Sequence, residues 1–186
     1  MGKIVVSENM SVDGVVQEDG FRHSGWFEHF IGNREEWAKV EFTEALSADA
    51  ILLGRLSDEY FGSRWNSRTG DWADHLNGLP KYVVSSTLVE PVWTNSTVLR
   101  GDVVEQVSKL KHEFDGEIIV YGSGQLVHTL IEHDLVDEVR LIIFPVILGD
   151  GHRLFAETTD KKPLRLLNAK TIGDHLSYVA YAIDDQ

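Results

Sequence analysis

At 186 residues the chain has the length of one domain, and its 42% hydrophobic and 25% charged content, with Gly 16 and Pro 4, excludes collagen-like, coiled-coil and disordered classes. A formal charge of −13 repels DNA and RNA. The absence of cysteine removes disulfides, thiolate metal sites and Cys nucleophiles.

The N-terminus carries one basic residue, Lys3, and then only Ile4-Val5-Val6, too little for a signal-peptide core. The longest apolar run, Leu141–Leu148, is interrupted by Pro145 and is far shorter than the ~20 residues of a membrane span. These features point to a cytoplasmic protein without a membrane segment. No linker or repeat divides residues 1–186, which read as a single domain.

In chain order, Lys3–Ser7 is the first strand. Ala38, Phe42, Ala45 and Leu46 then fall at i, i+4, i+7 and i+8, which predicts a helix with that stripe inward and Glu35, Glu36, Glu41 and Glu44 outward. Ala50–Leu53, Lys81–Ser85, Glu117–Tyr121 and Glu138–Phe144 are continuous Ile/Val/Leu-rich runs, the pattern of strands covered on both faces. Arg64–Gly78 is the most loop-like span, with room for short helical turns. Asp102 and Glu105 give a cap-like start to a helix burying Val103, Val107, Leu110 and Phe114, and another helix follows Gly124 with Leu126, Val127, Leu130 and Ile131 inward. Leu164–Ile183 has no space for a crossover helix, and Gly173-Asp174 reads as a two-residue hairpin loop. The fold class is therefore α/β: three αβα layers around a mixed, mostly parallel sheet that ends in a C-terminal antiparallel hairpin. The last strand, Leu176–Ile183, is apolar on both faces and needs cover, which predicts a homodimer.

Three strand ends carry candidate chemistry. Tyr121-Gly122-Ser123-Gly124-Gln125-Leu126 is strand, glycine turn and helix, suited to an anion at a helix N-terminus or equally to a tight connection. The strict dinucleotide fingerprint fails, since Val127 stands where a third glycine belongs. Gly54-Arg55-Leu56-Ser57 offers a guanidinium fork and a hydroxyl, or a surface ion pair and a helix cap. Ser85-Ser86-Thr87 offers hydroxyls, or plain loop capping. All three sit where open α/β sheets bind ligands. His128 and His133 are five apart on a helix and point ~140° from one another, so no metal site is expected.

Several motifs together give a resemblance: Ser11-Val12-Asp13-Gly14, Leu53-Gly54-Arg55 with Ser57, Asn77-Gly78-Leu79-Pro80-Lys81-Tyr82-Val83-Val84-Ser85, Tyr121-Gly122-Ser123-Gly124, and Asp137-Glu138-Val139-Arg140 leading to Pro145-Val146-Ile147-Leu148-Gly149-Asp150-Gly151. The chain resembles the dihydrofolate reductase superfamily and, within it, the reductase domain of the bifunctional riboflavin-biosynthesis deaminase/reductase. The resemblance implies a dihydrofolate reductase-like fold and an NADPH cofactor. Gly54, Arg55 and Ser57 would lie near its phosphates, Ser85 and Ser86 near the adenosine phosphate, and Gly122, Ser123, Gly124, Gln125 and Leu126 along the diphosphate. The superfamily often places two adjacent glycines in this turn, sometimes with a cis peptide, whereas here Ser123 follows Gly122.

On the substrate side, no residue in the span 25–44 repeats the superfamily's pterin-binding carboxylate motif. Glu28, Glu35 and Glu36 qualify by location and also as a solvated helix face. Asp13, in the loop that closes over the nicotinamide in this superfamily, is the candidate acid and also a plain turn residue. Trp26, Trp65 and Trp72 serve either as walls for a flat-ring substrate or as packing. The expected function is hydride transfer from NADPH to a C=N or C=O group of a small heterocyclic or sugar-phosphate substrate. The alternative is a non-catalytic NADP(H)-binding regulatory or stress protein.

Overall fold

The computed structural model describes residues 1–17, 26–32, 34–155 and 158–184. The continuous apolar runs become strands buried on both faces: Ile4, Val5, Val6, Ile51, Leu52, Leu53, Ile118, Ile119 and Val120 are all 0% exposed. In order, the elements are β1 (Lys3–Ser11), β2 (Val15–Gln17), a 3-10 turn at Trp26–His29, α1 (Arg34–Ser47), β3 (Ala48–Gly54), α2 (Arg55–Trp65) and α3 (Asp71–Gly78). They continue with β4 (Lys81–Val84), β5 (Ser96–Leu99), α4 (Val103–Glu113), β6 (Glu117–Tyr121), α5 (Gly124–Glu132), β7 (Glu138–Phe144), β8 (His152–Arg153), β9 (Leu164–Ile172) and β10 (Leu176–Ile183).

The main sheet is 8-stranded, in the order β5-β4-β3-β6-β1-β7-β10-β9. The run from β5 to β7 is parallel, and β10 and β9 add antiparallel pairings. Alternation along β1 sends Ile4, Val6 and Met10 into a core shared with Val107 and Leu110 of α4 and Val127 and Leu130 of α5. Val5 faces the other layer, with Ala45 of α1, Leu76 of α3 and half-buried Phe61 and Trp65 of α2. Asp102 caps α4 as its sequence position predicts, its side chain accepting from the Glu105 N–H at 2.9 Å.

Four expectations are corrected. In α1, Glu44 turns inward (side chain 8% exposed) and Leu46 outward (55%), because Trp37, Glu41, Glu44 and Ala45 form the stripe that meets the sheet. The span 64–78 is mostly helical rather than a loop, since Trp65 and Leu76 find a shared core that local composition does not reveal. The C-terminal hairpin turns through Gly173, Asp174 and His175, because Ile172 pairs directly with Leu176. Finally, β10 is an interior strand between β7 and β9, so the strand that ends the sheet on this side is β9.

Candidate functional site at the strand ends

Because β4, β3, β6, β1 and β7 are parallel, the segments after Val84, Gly54, Tyr121 and Ser11 emerge along one rim. Here β1 loses one neighbour. Its ladder with β6 stops at Ser7↔Tyr121, whereas its ladder with β7 continues to Ser11↔Phe144. Although β1 is central, Ser7, Glu8 and Asn9 all keep partial exposure between buried Val6 and buried Met10. Beyond the end of β6 one flank of β1 has no strand beside it, which makes this flank the candidate crevice of the site.

The glycine turn and the end of β3 are knit together at this crevice. The Gly54 N–H donates to Ser123 Oγ at 2.9 Å, and the Ser123 hydroxyl donates to the Tyr121 carbonyl at 3.0 Å. Both Gly122 (φ 59°) and Ser123 (φ 64°) are left-handed, while Gly124 has ordinary helical entry geometry. A Cβ on Gly122 would also meet Ser57 Oγ at 2.8 Å. The strict glycine requirement thus lies at Gly122 rather than Gly124, where a Cβ would meet nothing within 4 Å. No described peptide bond is cis.

Other sequence candidates are placed as follows. Arg55 begins α2 and forms an exposed pair with Glu59 at 2.7 Å, and Ser57 follows in the first turn. Ser85 Oγ accepts from the N–H groups of Thr87 (3.2 Å) and Leu88 (3.0 Å), the loop-capping arrangement, and Ser86 is exposed. Gln125 is exposed, whereas the Leu126 side chain is buried in the core, so only its backbone faces the rim. Asp13 is a clamp: its carboxylate accepts from Ser11 Oγ (2.7 Å), Leu148 N (3.1 Å) and Gly149 N (2.8 Å). These donors, Ser11 foremost, pull its pKa down to about 2, so Asp13 holds no proton near neutrality. Glu28, Glu35 and Glu36 lie on the exposed face, and positions 25 and 33 of the same span lie outside the described residues. Trp26 is core, packed edge-on to Phe144, while Trp65 and Trp72 line an open hollow of ≈ 440 Å³ with Arg68 and Asp71. That hollow belongs to the α2–α3 connection and contains none of the rim residues.

The acidic residues that matter were not legible as such. Trp37 Nε1 donates to Asn9 Oδ1 at 3.1 Å, and Asn9 Nδ2 donates to Glu41 Oε1 at 3.2 Å. Burial, with Glu44 adding to it, pushes the Glu41 carboxyl up to about 8. Glu8 on β1 is likewise pushed up to about 8, by burial first and then by Glu41. Both carboxyls are thus largely neutral at pH 7. Below them Arg140 of β7 binds Glu117 in a fork (2.6 and 3.0 Å) and Glu138 at 2.7 Å, with Glu44 at 3.7 Å, tying β6, β7 and α1 together. The only sequence signal for this arrangement is polar residues interrupting a central strand, Ser7-Glu8-Asn9, opposite an acidic helix.

A model of the RibD C-terminal domain family matches residues 2–178. The chain belongs to the RibD C-terminal domain family. Among its relatives, YwjB of Bacillus subtilis (strain 168), described as an uncharacterized protein, is 36% identical over 180 residues, covering 95% of this chain and 97% of YwjB. A solved structure from Shewanella sp. PV-4, named for riboflavin biosynthesis, superposes with a TM-score of 0.75 at 19% identity, covering 98% of this chain and 99% of that one. Dihydrofolate reductase from Enterococcus faecalis, solved with NADP(H), gives 0.63 at 13% identity, covering 98% and 97%. The RibD C-terminal architecture and the dihydrofolate reductase architecture are thus one fold in this chain. Among the described residues, no helix is long and apolar enough to cross a membrane, and no group of three or more His, Asp or Glu is placed to hold a metal ion.

Proposed function

We propose that this chain is a cytoplasmic NADPH-dependent reductase acting on a C=N or C=O group of a small heterocyclic or sugar-phosphate substrate. The observation that carries the reading is the convergence of Gly54, Arg55, Ser57 and the Gly122–Leu126 segment on the crevice where β6 ends beside β1. The residues fit the cofactor. Ser123 spends its Oγ on Gly54 and Tyr121 and makes no side-chain cap, which leaves the first N–H groups of α5 for a diphosphate. Arg55 and Ser57 would take phosphate oxygens. Ser86, together with the still-available proton of the Ser85 hydroxyl, would meet the adenosine phosphate.

When bound, the cofactor supplies the hydride, and the protein's share is orientation and exclusion of water. On the α1 side, the Asn9 amide and the neutral Glu41 carboxyl offer the mixed donor and acceptor edge that a heterocycle requires. Asp13 holds the Val146–Gly149 segment in place rather than donating a proton, which leaves another carboxyl or water to supply it.

Arg55→Ala should weaken NADPH roughly ten- to hundredfold, the loss of a charge-assisted bond worth ~1.5–3 kcal/mol, and leave NADH nearly unchanged. Its pair with Glu59 is surface-exposed and inexpensive to exchange for a phosphate. Tryptophan quenching would measure both cofactors. Equal losses would move Arg55 to the shared diphosphate, and absence of any binding by the parent protein would end the cofactor reading. Turnover with a panel of substrates under NADPH separates an enzyme from a protein that only binds the cofactor.

The same reading includes a homodimer, now placed on β9. This edge strand is nine residues long and exposed from Leu164 to Thr171, with Leu166 at 55% and Leu167 at 46%. A long apolar edge is a pairing template that a monomer leaves unprotected. Light scattering at micromolar concentration should give twice the 21.0 kDa chain mass, and Leu166→Lys should reduce it to one. A parent protein that scatters as a monomer would remove the dimer.

A further inference from the structure

Glu8 occupies an unusual position for a carboxyl group. It projects from a central strand, on the face that carries Val6 and Met10 into the α4/α5 core, and its register partner is buried Leu141. Beyond Ser7 the neighbouring strand β6 has ended, so Glu8 stands on the open flank of the crevice. The Gly122 backbone N–H faces its carboxyl, which brings it against the glycine turn. Yet Glu8 Oε1 is buried and takes no hydrogen bond from any described group. A buried polar atom without a partner costs free energy and is rare unless a ligand completes it.

The groups around it decide its protonation. The charge that Glu41 and Glu44 on α1 take on when ionised opposes ionisation of Glu8, β7 presents Leu141, and β6 and the turn contribute the Gly122 N–H. Burial and the two neighbouring acids outweigh that one donor and push the pKa up to about 8. A neutral carboxyl offers one donor and one acceptor side by side, the complement of a primary carboxamide, and a carboxylate offers acceptors only. Of the other acids at the crevice, Asp13 is committed to the Leu148 and Gly149 N–H groups and Glu44 to Arg140, while Glu41 accepts from Asn9 through Oε1.

Building on the cofactor reading above, we propose that the Glu8 carboxyl is the side-chain partner of the cofactor's nicotinamide carboxamide and positions that ring in the crevice between β1 and the end of β6. Glu8 thereby becomes a residue that selects the amide-bearing ring and holds it only while its own proton is in place.

The test uses equilibrium binding of NADPH and of its 3-acetylpyridine analogue, which keeps the carbonyl and lacks the amide N–H, with thermal melts as a check on folding. The parent protein should bind NADPH about three- to tenfold more tightly at pH 6.5 than at pH 9, and prefer it to the analogue by a similar factor, the worth of one hydrogen bond. Glu8→Gln keeps a donor and an acceptor without a titrating proton, so NADPH affinity should stay within about threefold of the parent and lose this pH dependence. Glu8→Leu should bind both cofactors alike and weakly. If Glu8→Leu folds and retains the parent's preference for NADPH over the analogue, or if Glu8→Gln retains the parent's pH dependence, the assignment is overturned while the cofactor reading stands. If the parent binds no NADPH at all, both fall together.

Discussion

Replacing Arg140 with Met is expected to cost about 3–5 kcal/mol of stability near pH 7, the penalty for removing one partner from a buried ionic cluster. At this chain length that corresponds to a melting point lower by roughly 6–20 °C. The arginine side chain is only 12% exposed and faces Glu44, Glu117 and Glu138, so its loss removes the cation these three acids share and leaves Glu117 only the weaker influence of Lys3. Burial on its own would push Glu117 up, but the Arg140 fork and the Ser47 hydroxyl prevail and hold its pKa below the usual carboxylate range. A depressed carboxylate pKa contributes stability above the unfolded value and loses it as pH falls through the folded value. The deficit of Arg140→Met should therefore be largest at neutral pH and shrink toward pH 4, where the stranded carboxyls take up protons. Urea melts at the two pH values would check it. A variant within 1 kcal/mol of the parent at pH 7 would show that the cluster is not what fastens α1 to the sheet.

Glu41→Gln should do the opposite and stabilise the protein above neutrality. Glu41 and Glu8 both titrate near 8 in the fold against 4.5 for an ordinary glutamate, with burial the main cause in each. A raised folded pKa means that the native state holds protons which the unfolded chain has lost. Stability is then full below about 4.5 and falls as pH rises toward 8, by up to about 1.4 kcal/mol per pH unit for each group. The parent protein should consequently melt higher at pH 5.5 than at pH 8. Overall charge repulsion at −13 pushes in the same direction, so the decisive comparison is with the variant. Glu41→Gln keeps an acceptor for the Asn9 amide, needs no proton, and should gain more than about 1 kcal/mol on the parent at pH 8 while matching it at pH 5. An unchanged difference across this range would mean that Glu41 is ionised in the fold.

The two substitutions bear on function through α1. Arg140 fixes the C-terminal half of that helix against β6 and β7, and one turn earlier Glu41 meets Asn9 at the crevice. A looser α1 would carry the Trp37–Asn9–Glu41 chain of hydrogen bonds with it. Losses of stability and of ligand binding in Arg140→Met are thus expected together.

By itself the sequence determined the buried central strands of the sheet, though not its edge strand β5. Runs such as Glu117–Tyr121 and Glu138–Phe144 are strands with the boundaries their composition predicts, because continuous Ile, Val and Leu leave no solvent face. It also determined that Gly54, Arg55, Ser57 and the Gly122–Gly124 turn follow strand ends, since glycine and hydroxyl residues after an apolar run punctuate it locally. Tertiary structure alone decided which acids are buried. Glu41 and Glu44 look like the solvated face of α1, yet the helix turns them inward because Arg140, Asn9 and Ser7, distant in sequence, are there to meet them. It likewise decided that β9 rather than β10 forms the edge, because strand order depends on which neighbour β7 accepts. The crevice is legible in no single segment. It exists because β6 stops at Tyr121 while β1 runs on to Ser11, and a difference between the lengths of two paired strands appears only once their register is fixed.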